Sequence, residues 1–353
     1  MNIFIKVCGI FSLLVLSLSP FVLGDTECPV VVAGGGSGDR RTNKDVLRIV
    51  QYNAEWLFID YYAASDCPGD GCSWANQTSA EMHMKTVASL IAELDPDILN
   101  ICEVEGCDEL VMLTDMLVGS ATYIPYLKKG TDSSTGQNVG MLTKIDPLIS
   151  LYRTEERANY PIEGSLCGYS GAAGTSGVSK HYITEFTLDA GETMIAFIAA
   201  HLLAFPTDSV RCAEREAQAM VLQSVISGYI ERGYEIIFLG DLNDFDGVVL
   251  DAKKDIPTSK VLDILKGNWG NKGTEYQLYS VAETIPQEER YSDWYDENSD
   301  CVAVVPAEFS MIDHILVSEA LRERVVDSYI YHGYKEYCGT YNSDHFPIVI
   351  EIV

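Results

Sequence analysis

Several apolar segments of this sequence end directly in polar clusters, and this pattern limits the folds open to the chain. The clearest case is the nearly apolar run at residues 235–239, which is followed by Gly-Asp-Leu-Asn at 240–243. Such a run is typical of a central strand that is covered on both faces. Over residues 80–94, apolar residues recur instead at helical spacing. Strands and helices mix without strict alternation, which favours two packed sheets flanked by helices over one doubly wound sheet.

Length and charge narrow the class of protein. The chain has 353 residues, of which 47% are hydrophobic, so it can build a core and is not a disordered tail protein. We find no internal repeat or linker within residues 46–353, which we therefore interpret as one domain. The 52 acidic and 24 basic residues give a net charge of −28. This excess argues against a binder that holds nucleic acid through a basic surface, but it allows an enzyme with a local metal site.

The N-terminus predicts export. Residues 1–24 contain a single basic residue and a long apolar run, and Val22 and Gly24 place small residues at a cleavage site. An uncleaved membrane anchor is the alternative, although acidic residues follow where an anchor often carries basic ones. We expect a signal peptide at 1–24, a flexible lead-in at 25–45 and a secreted, extracellular domain at 46–353.

Cysteine usage agrees with an oxidising compartment. Ten cysteines are present and one lies in the predicted signal peptide, so nine remain and one of them should be unpaired. Cys67 and Cys72 close a short loop, and Cys102 with Cys107 forms a second candidate pair, whereas the others cannot be paired from sequence. Zinc binding at the first pair is disfavoured, because no second Cys or His pair lies at finger spacing. A glycosylation sequon begins at Asn76.

Polar side chains end four of the predicted strands. Asn53 and Glu103 would be costly there without hydrogen bonds or a cation, although an Asn in this place is more often a turn residue. His201 ends another apolar run, where a lone His is more often structural than catalytic. Asp241 and Asn243 project to one side if their strand continues. An EF-hand does not fit this segment, because a Phe occupies the fifth loop position.

Two clusters near the C-terminus complete the set. Asp313 lies in the predicted strand at residues 312–317, where it has the surroundings of a buried acid. Ser343, Asp344 and His345 form a turn into the last strand. Adjacent Asp and His side chains can serve a metal and a phosphoryl oxygen together, whereas the simpler interpretation is an Asp turn before a proline. Each cluster is weak alone, and their order along the chain carries the information.

In this order, the clusters resemble the endonuclease/exonuclease/phosphatase superfamily, which has the deoxyribonuclease I-like fold. The most specific marks are Gly-Asp-Leu-Asn at 240–243 and Ser-Asp-His at 343–345, and the resemblance covers residues 46–353. Residues 123–147 are most similar to the extracellular-nuclease branch. The resemblance implies a four-layer α/β sandwich, in which two packed mixed β-sheets are flanked by helices.

The resemblance also implies a metal site. Glu103 corresponds to the direct ligand, and Asn53 and Asp344 correspond to residues beside the metal. Carboxylate and amide oxygens suit Mg²⁺, the expected cofactor, and the same ligand types accept Mn²⁺. A structural Ca²⁺ site is compatible with a further group of acids: Asp244, Asp246 and Asp251.

The implied catalytic roles come from the same matched motifs. Asp241 corresponds to the residue that orients or deprotonates the attacking water, with Asn243 beside it. His201 and His345 correspond to the pair that donates hydrogen bonds to the phosphoryl oxygens, and Asp313 corresponds to the residue that orients His345. A carboxylate paired with His fixes the tautomer of the ring. The chain departs from the family in one respect, since no second acid that would steady His201 is evident.

Three features lie outside this set. His314 stands where the family often has Arg or Tyr, and we assign it no role. Asn138 is a candidate for contacting the substrate. The polar and acidic segment at residues 287–300 is interpreted as a solvated insertion.

These observations favour a secreted, metal-dependent phosphodiesterase that hydrolyses nucleic acid by in-line attack of an activated water, endonuclease-like and with DNA ahead of RNA. A phosphoesterase of the same fold that acts on a lipid headgroup or inositol phosphate is the alternative. Residues 309–314 lack the Pro-x-Trp-Cys-Asp-Arg segment usual in the inositol branch. A non-catalytic module is disfavoured, because every expected residue type is present. We expect nucleic acid as the partner, no stable membrane association and a monomer.

Overall fold

The structure of the protein is a computed structural model. It describes Cys28 and residues 38–59, 74–117, 123–270, 273–334 and 340–353. The predicted signal peptide and the loop with Cys67 and Cys72 lie outside the described residues.

Strands and helices mix along the described chain, and every predicted element has a counterpart whose ends differ by no more than several residues. The strands are β1 (Leu47–Leu57), β2 (Ile98–Val104), β3 (Ile124–Leu127), β4 (Asn138–Thr143), β5 (Ala158–Tyr160), β6 (Gly174–Ser176), β7 (Lys180–Leu188), β8 (Thr193–His201), β9 (Glu235–Asp241), β10 (Leu278–Ser280), β11 (Asp293–Trp294), β12 (Phe309–Ser310), β13 (Asp313–Ser318), β14 (Val325–Ile330) and β15 (Ile348–Ile352). The α-helices are α1 (Gln77–Leu94), α2 (Cys107–Met116), α3 (Ser209–Ile230), α4 (Val261–Leu265) and α5 (Glu319–Arg322). Short 3-10 helices lie at Asp189–Gly191, Thr274–Tyr276, Val281–Thr284 and Gln287–Glu289. Among the described residues, none of the helices is long and apolar enough to cross a membrane.

Two mixed sheets form the body of the protein. The first has six strands in the order β14-β15-β1-β2-β4-β3, and the second has five in the order β10-β13-β9-β8-β7. The parallel pairs are β1 with β2 in the first sheet and β8 with β9 in the second. Two small two-stranded sheets, β5 with β6 and β11 with β12, lie outside this body.

Apolar side chains cover both faces of each sheet. One core lies between the two sheets and includes Phe197 and Ile350. On the outer face of the first sheet, Ile91 of α1 packs in a second core with Leu99. On the outer face of the second sheet, helices α3 and α4 pack over a third core that includes Phe238. The order helix, sheet, sheet, helix confirms the predicted four-layer sandwich. Each fully buried side chain of this size contributes about 1.5–3 kcal/mol to the stability of the fold.

Strand register brings the catalytic candidates to one edge of the sandwich. His201 pairs with Asp241 across the parallel β8–β9 ladder, and Asp241 pairs with Asp313 across β9–β13. In the first sheet, Asn53 lies beside the β2 residue that precedes Glu103. Directly paired residues present their side chains on the same face of a sheet. Backbone pairing therefore places the groups of each sheet at this edge, and the packing of the two sheets brings them together.

Gly240 allows β8 and β9 to approach closely at this edge. Its φ is 153°, and a Cβ atom built on it would lie 1.7 Å from the carbonyl oxygen of Ala200. No side chain fits at that distance, so the glycine immediately before Asp241 is required by packing as well as by its backbone conformation.

The prediction that residues 287–300 form a solvated insertion is wrong. Strand β11 lies within this segment and pairs with β12, and Trp294 is buried. The backbone N–H of Trp294 donates to the carbonyl oxygen of Asp344 at 2.9 Å, and Asp293 forms a β-bridge with His345. The acidic composition of the segment was misleading, because two of its residues pack inward between exposed ones.

The candidate pairing of Cys102 with Cys107 is also wrong. Cys107 is bonded to Cys28, and Cys102 is a free, buried thiol. Cys102 belongs to the core between the sheets, whereas Cys107 begins α2 and belongs to the core on the outer face of the first sheet. The two thiols therefore lie on opposite faces of one sheet. A second disulfide joins Cys167 to Cys212.

Part of the predicted lead-in contacts the domain. Asp39 forms a β-bridge with Ile145, and Arg40 forms an ion pair with Asp146 at 2.7 Å. These contacts lie at the end of the sandwich opposite the strand ends that carry the catalytic candidates, because Ile145 follows the far end of β4.

The close approach at Gly240 can be tested by substitution. Gly240→Ala should lower the free energy of unfolding by at least about 1–3 kcal/mol, because the new Cβ atom meets backbone and the conformation disfavours an L side chain. Urea unfolding followed by circular dichroism measures the change. Gly228→Ala in α3 is the matched control: nothing lies within 4 Å of its Cβ position, so this variant should gain about 0.5–1 kcal/mol. Equal stability of the two variants would contradict the packing argument.

Candidate active site

The predicted site residues of both sheets meet in one cluster. Contacts of 4.0 Å or less join six of the predicted side chains: Asn53, Glu103, His201, Asp241, Asp313 and His345. Asp344 lies beside His345, and Asn243 lies in the turn after β9. All eight predicted residues therefore belong to the same end of the sandwich.

Residues with a left-handed backbone conformation direct side chains into this cluster. Glu55, Glu103 and Asn243 have φ values of 48°, 64° and 49°, which cost about 1–3 kcal/mol each for residues other than glycine. Strands β1 and β2 lose their regular pairing just after Asn53, and such bulges re-aim side chains at the end of a strand. Glu103 is held in its turned position, since Oε2 accepts the backbone N–H of Trp56 at 3.0 Å.

Asn53 links the two acids at the centre of the cluster. Its Nδ2 donates to Asp241 Oδ2 at 2.9 Å and to Glu103 Oε1 at 3.1 Å. Its Oδ1 accepts the backbone N–H of Glu55 at 3.0 Å. The amide oxygen is therefore already engaged, and it is the amide nitrogen that faces the acids.

His345 and Asp313 form a buried pair. The Nδ1–H of His345 donates to Asp313 Oδ2 at 2.7 Å. Burial alone lowers the pKa of His345, but the Asp313 carboxylate outweighs it, so this pKa lies well above its ordinary value. Ser343 fixes the turn, because its Oγ accepts the backbone N–H of His345 and donates to the carbonyl oxygen of Asn53. Asp313 therefore holds the ring, and Ser343 holds the backbone from which the ring projects.

Asp293 is a member of the cluster that sequence reasoning missed. Its Oδ1 lies 3.5 Å from His345 Nε2, closer than Asp344 Oδ1 and Asp241 Oδ2, which both lie at 3.9 Å. Asp293 comes from β11, inside the segment interpreted as a solvated insertion. The segment around it is rich in polar and acidic residues, so nothing in the sequence pattern marks it.

The raised pKa values of the acids indicate that the cluster carries an excess of negative charge. Burial and the nearby Asp313 carboxylate together raise the pKa of Asp241 to about 7. Burial also raises the pKa of Asp293 to about 7, and burial and Glu55 raise the pKa of Asp344. Carboxylates crowded in this way are relieved by a bound cation. Oxygen-rich surroundings of this kind fit a hard divalent ion such as Mg²⁺ or Mn²⁺.

The potential ligand atoms fall into overlapping groups. Glu103, His201 and Asp241 offer atoms within 4.8 Å of one another, and Asp293, Asp344 and His345 do the same. The groups adjoin through Asp241 and His345, since both of these also group with Asp313. Glu103 and Asp344, the predicted ligands, therefore lie on two sides of one acidic cluster.

Lys180 is a second residue that sequence reasoning missed. Its Nζ lies 3.3 Å from His201 Nε2, 3.1 Å from Gln137 Oε1 and 4.0 Å from Asp132 Oδ2. Burial lowers the pKa of His201 well below its ordinary value, and the charge of Lys180 lowers it further. Within the described residues, His201 Nδ1 has no hydrogen-bond partner. A cation thus lies beside His201, and both this charge and burial favour the neutral imidazole.

A sequence signal for Lys180 existed. Strands β7 and β8 form a hairpin in which Leu188 pairs with Thr193, so counting outward from the turn places Lys180 opposite His201.

Arg215 holds the loops on either side of His201 and Asp241. It is fully buried, and its Nε donates to Asp244 Oδ2 at 3.1 Å. Its other nitrogens donate to four carbonyl oxygens of residues 203–206. Removing one partner of such a buried pair costs about 3–5 kcal/mol. The guanidinium therefore fixes the loop after β8 against the turn after β9.

The hydrogen bonds of Asn138 are used inside the protein. Its Oδ1 accepts the N–H of Gly130, and its Nδ2 donates to carbonyl oxygens of Val104, Glu105 and Gly136. We therefore assign Asn138 a structural role instead of a contact with substrate.

The acids considered for a structural Ca²⁺ have protein partners. Asp244 pairs with Arg215, and Asp246 pairs with Lys266 at 2.7 Å. Asp251 accepts the backbone N–H groups of Asp255 and Met311. In the part of the chain that the structure describes, these three acids form no common group of ligand atoms.

Comparisons with known proteins agree with this geometry. A sequence model described as the Endonuclease/Exonuclease/phosphatase family matches residues 51–345. A humanized form of D. rerio TDP2 with 14 mutations is 15% identical, with a TM-score of 0.51, and the match covers 87% of this chain and 99% of that chain. TDP2 from Caenorhabditis elegans is 17% identical, with a TM-score of 0.50, and the match covers 88% of this chain and 76% of that chain. No curated protein matches the sequence.

The chain belongs to the Endonuclease/Exonuclease/phosphatase family, because the matching region spans most of its length. Members of this family are generally metal-dependent phosphodiesterases and other hydrolases. At 15–17% identity, the similarity to TDP2 shows the fold alone.

The influence of Lys180 on His201 gives a measurable prediction. Lys180→Met should raise the pKa of His201, because the substitution removes a positive charge next to Nε2 while burial remains. Nuclear magnetic resonance titration of ¹⁵N-labelled histidines, without divalent ions, measures the shift. Lys44→Met is the control, since Lys44 is exposed and pairs with Asp39. A pKa of His201 that is unchanged or lower would refute the proposed contact.

Proposed function

We propose that this protein is a secreted, Mg²⁺-dependent phosphodiesterase that hydrolyses nucleic acid, with DNA preferred over RNA. The observation that carries the proposal is the position of Asp241, whose Oδ2 lies within 3.9 Å of side-chain nitrogens of Asn53, His201 and His345. A carboxylate that accepts from the Asn53 amide and lies close to two histidines, at the centre of an acidic pocket, is suited to orient a water and to take its proton.

Asp241 acts as the general base in this proposal. A base works best when its pKa lies near the working pH, and burial brings the pKa of Asp241 to about 7. Both oxygens are oriented: Oδ2 by Asn53, and Oδ1 by the backbone N–H of Asn243 at 2.9 Å. Asp241 accepts the proton of a water that attacks phosphorus in line with the leaving oxygen.

His345 acts on the phosphoryl group. Its Nδ1–H is bound to Asp313, so the ring presents Nε2–H toward the pocket. Because the pKa of His345 is raised well above its ordinary value, the ring is charged at neutral pH. A charged donor aimed at a phosphoryl oxygen stabilises the negative charge that develops in the transition state.

Glu103 and Asp344 are the residues that we propose to hold the divalent ion, which when bound neutralises charge on the phosphate and on the leaving oxygen. Asn53 supports Glu103 through its amide nitrogen, because its amide oxygen accepts from Glu55. Asn53, the predicted residue beside the metal, thus acts as a hydrogen-bond donor that orients the ligand.

Lys180 adds a fixed positive charge beside His201. Since Lys180 Nζ donates toward His201 Nε2, His201 serves as an acceptor that orients the ammonium group. We propose that Lys180, and not a charged His201, provides the second contact to the phosphoryl oxygens. An ammonium group suits this role, because it carries three donors on a compact charge.

The proposed preference for a polynucleotide is argued from the residues that line the pocket and from the charge of the protein. The segment at residues 123–147, which resembles the extracellular-nuclease branch, supplies Asp132 and Gln137 around Lys180. The disulfides Cys28–Cys107 and Cys167–Cys212 are compatible with an extracellular location. With a net charge of −28, the protein must hold a polyanion through the ion and a few local cations, because the rest of its surface repels it.

A lipid headgroup remains the second candidate, and one observation favours it. The loop between β11 and β12 borders Asp293 and exposes several apolar side chains, with exposed fractions between 45% and 70%: Tyr295, Val302, Val304 and Val305. Exposed apolar residues clustered in one loop mark an interaction surface. Acidic neighbours such as Asp300 make an anionic membrane an unfavourable partner, so a zwitterionic surface is the lipid to test.

The substrate class is tested by direct comparison. We expect the purified secreted protein with Mg²⁺ to cleave plasmid DNA and single-stranded DNA faster than RNA, and to cleave these faster than sphingomyelin vesicles or inositol phosphates. Excess EDTA should abolish turnover. Cleavage of the lipid or inositol substrates without cleavage of any polynucleotide would replace the nuclease proposal with the second candidate.

Salt dependence separates a local phosphate site from an extended basic surface. The logarithm of the DNA affinity should fall with the logarithm of salt concentration with a slope shallower than about −4, since each neutralised phosphate contributes about −0.9. A steeper slope would show more phosphate contacts than this acidic chain is expected to make.

The role of Asp241 has its own test. Asp241→Asn keeps the shape of the side chain and removes its basicity, so kcat should fall by about 10²–10⁴-fold while circular dichroism stays unchanged. Asp263→Asn is the control, because Asp263 lies in α4 with 39% of its side chain exposed and pairs with Lys260. A rate near that of the wild type in Asp241→Asn would exclude Asp241 as the base.

A further inference from the structure

A line of buried polar side chains leads from Asp313 into the core between the sheets. Gln51 Nε2 donates to Asp313 Oδ1 at 3.0 Å. Asn100 Nδ2 donates to Gln51 Oε1 at 2.5 Å, and Tyr182 Oη donates to Asn100 Oδ1 at 3.0 Å. Gln51, Asn100 and Tyr182 are fully buried. They therefore cannot touch a substrate, and the reaction proposed above does not use them.

The line connects the two sheets. Gln51 and Asn100 are register partners on β1 and β2 of the first sheet. Tyr182 and Asp313 lie in the second sheet, on β7 and β13, with β8 and β9 between them. A carboxylate of one sheet is thus bound by an amide of the other, which ties its position to the packing of the whole sandwich.

Stability alone does not explain these residues. Their surroundings are apolar: Tyr182 stacks on Phe197, with ring centroids 6.3 Å apart. Burying amide and hydroxyl groups is unfavourable unless each is bonded, and apolar side chains of similar volume would pack at least as well. A fully bonded polar line in such a core instead specifies one arrangement of its members.

The direction of the hydrogen bonds is fixed along the line. Each group donates toward Asp313, from the Tyr182 hydroxyl through both amides. If both amides were reversed, the Gln51 carbonyl oxygen would face the Asp313 carboxylate, and two acceptors would meet. Asp313 therefore accepts at Oδ1 from Gln51 and at Oδ2 from His345. With both oxygens occupied by donors, the carboxylate has one orientation, and His345 must carry its proton on Nδ1.

We propose that Gln51, Asn100 and Tyr182 form a positioning unit that fixes the orientation of the Asp313 carboxylate, and through it the Nδ1–H hydrogen bond and ring orientation of His345. The inference rests on the proposed function for its effect on rate, but its structural part is independent of any substrate. Gln51 is the member in contact with Asp313, and Asn100 and Tyr182 act by holding the Gln51 amide in its donating orientation.

The structural part is tested by the resonance of the His345 Nδ1 proton. We expect Gln51→Met to shift or broaden this resonance in ¹⁵N-histidine spectra of the ion-free protein, because Asp313 loses the donor that holds it. Tyr182→Phe should produce a smaller change in the same resonance, since only the far end of the line is lost. An unchanged resonance in a folded Gln51→Met variant would overturn the proposal.

The catalytic part is tested by kinetics on the preferred substrate. Gln51→Met should lower kcat by about 10–100-fold, the usual effect of removing a residue that supports a catalytic side chain, and Tyr182→Phe by about 2–10-fold. KM should change by less than about twofold, because none of the three residues reaches the substrate. A change of similar size in KM, with no decrease in kcat, would contradict a positioning role.

Two further variants separate positioning from stability. Tyr126→Phe removes a hydroxyl from the same core, but this hydroxyl donates to Asp146, so kcat and the His345 resonance should both stay unchanged. The triple variant Gln51→Met, Asn100→Leu, Tyr182→Phe leaves no amide unpaired, so its stability should recover relative to Gln51→Met. Its kcat should stay low. Recovery of kcat together with stability would show that the line is structural only.

The outcomes also separate this inference from the proposed function. If the wild type cleaves none of the substrates, the proposed function fails, and a shifted His345 resonance in Gln51→Met still supports the positioning unit. If the wild type is active and Gln51→Met matches it in both kcat and resonance, the positioning unit fails and the proposed function stands.

Discussion

The contact between the Ala200 carbonyl oxygen and Gly240 sets the spacing on which the site depends. It allows the parallel strands β8 and β9 to close up at the end where His201 and Asp241 pair. The next strand adds Asp313 at the same level. His201, Asp241 and Asp313 of the second sheet are therefore placed side by side by backbone pairing. The first sheet only has to approach from across the core to complete the cluster.

The layered fold and the members of the site were predictable because both follow from local patterns. Apolar runs such as residues 235–239 predict covered strands, and a polar residue at the end of such a run must be bonded or functional. The residues Asn53, Glu103 and Asp241 all satisfy this rule, so they could be selected without knowing which strands are neighbours. The topology that the family resemblance implied was then sufficient to predict that these residues come together at one edge of the sandwich.

The residues that sequence analysis missed depend on contacts between distant segments. Asp293 enters the site because its short strand pairs with one that lies beyond a long acidic loop. Lys180 is set opposite His201 by hairpin register. Cys107 finds Cys28 instead of Cys102, because a sheet separates the nearer pair. In each case the deciding information is which face of a sheet a residue occupies, and spacing along the chain does not contain it.

Two disulfides within the described residues restrain different walls of the site. The loop closed by Cys28 and Cys107 spans 79 residues and contains Asn53 and Glu103, both from the first sheet. The loop closed by Cys167 and Cys212 spans 45 residues and contains Lys180 and His201 of the second. Each crosslink restricts the unfolded chain on one wall of the pocket, by roughly 4 kcal/mol in the chain-entropy account. Reducing conditions would therefore loosen both walls and leave the Asp241 turn, so the redox state of the surroundings acts as a control on whether the pocket assembles.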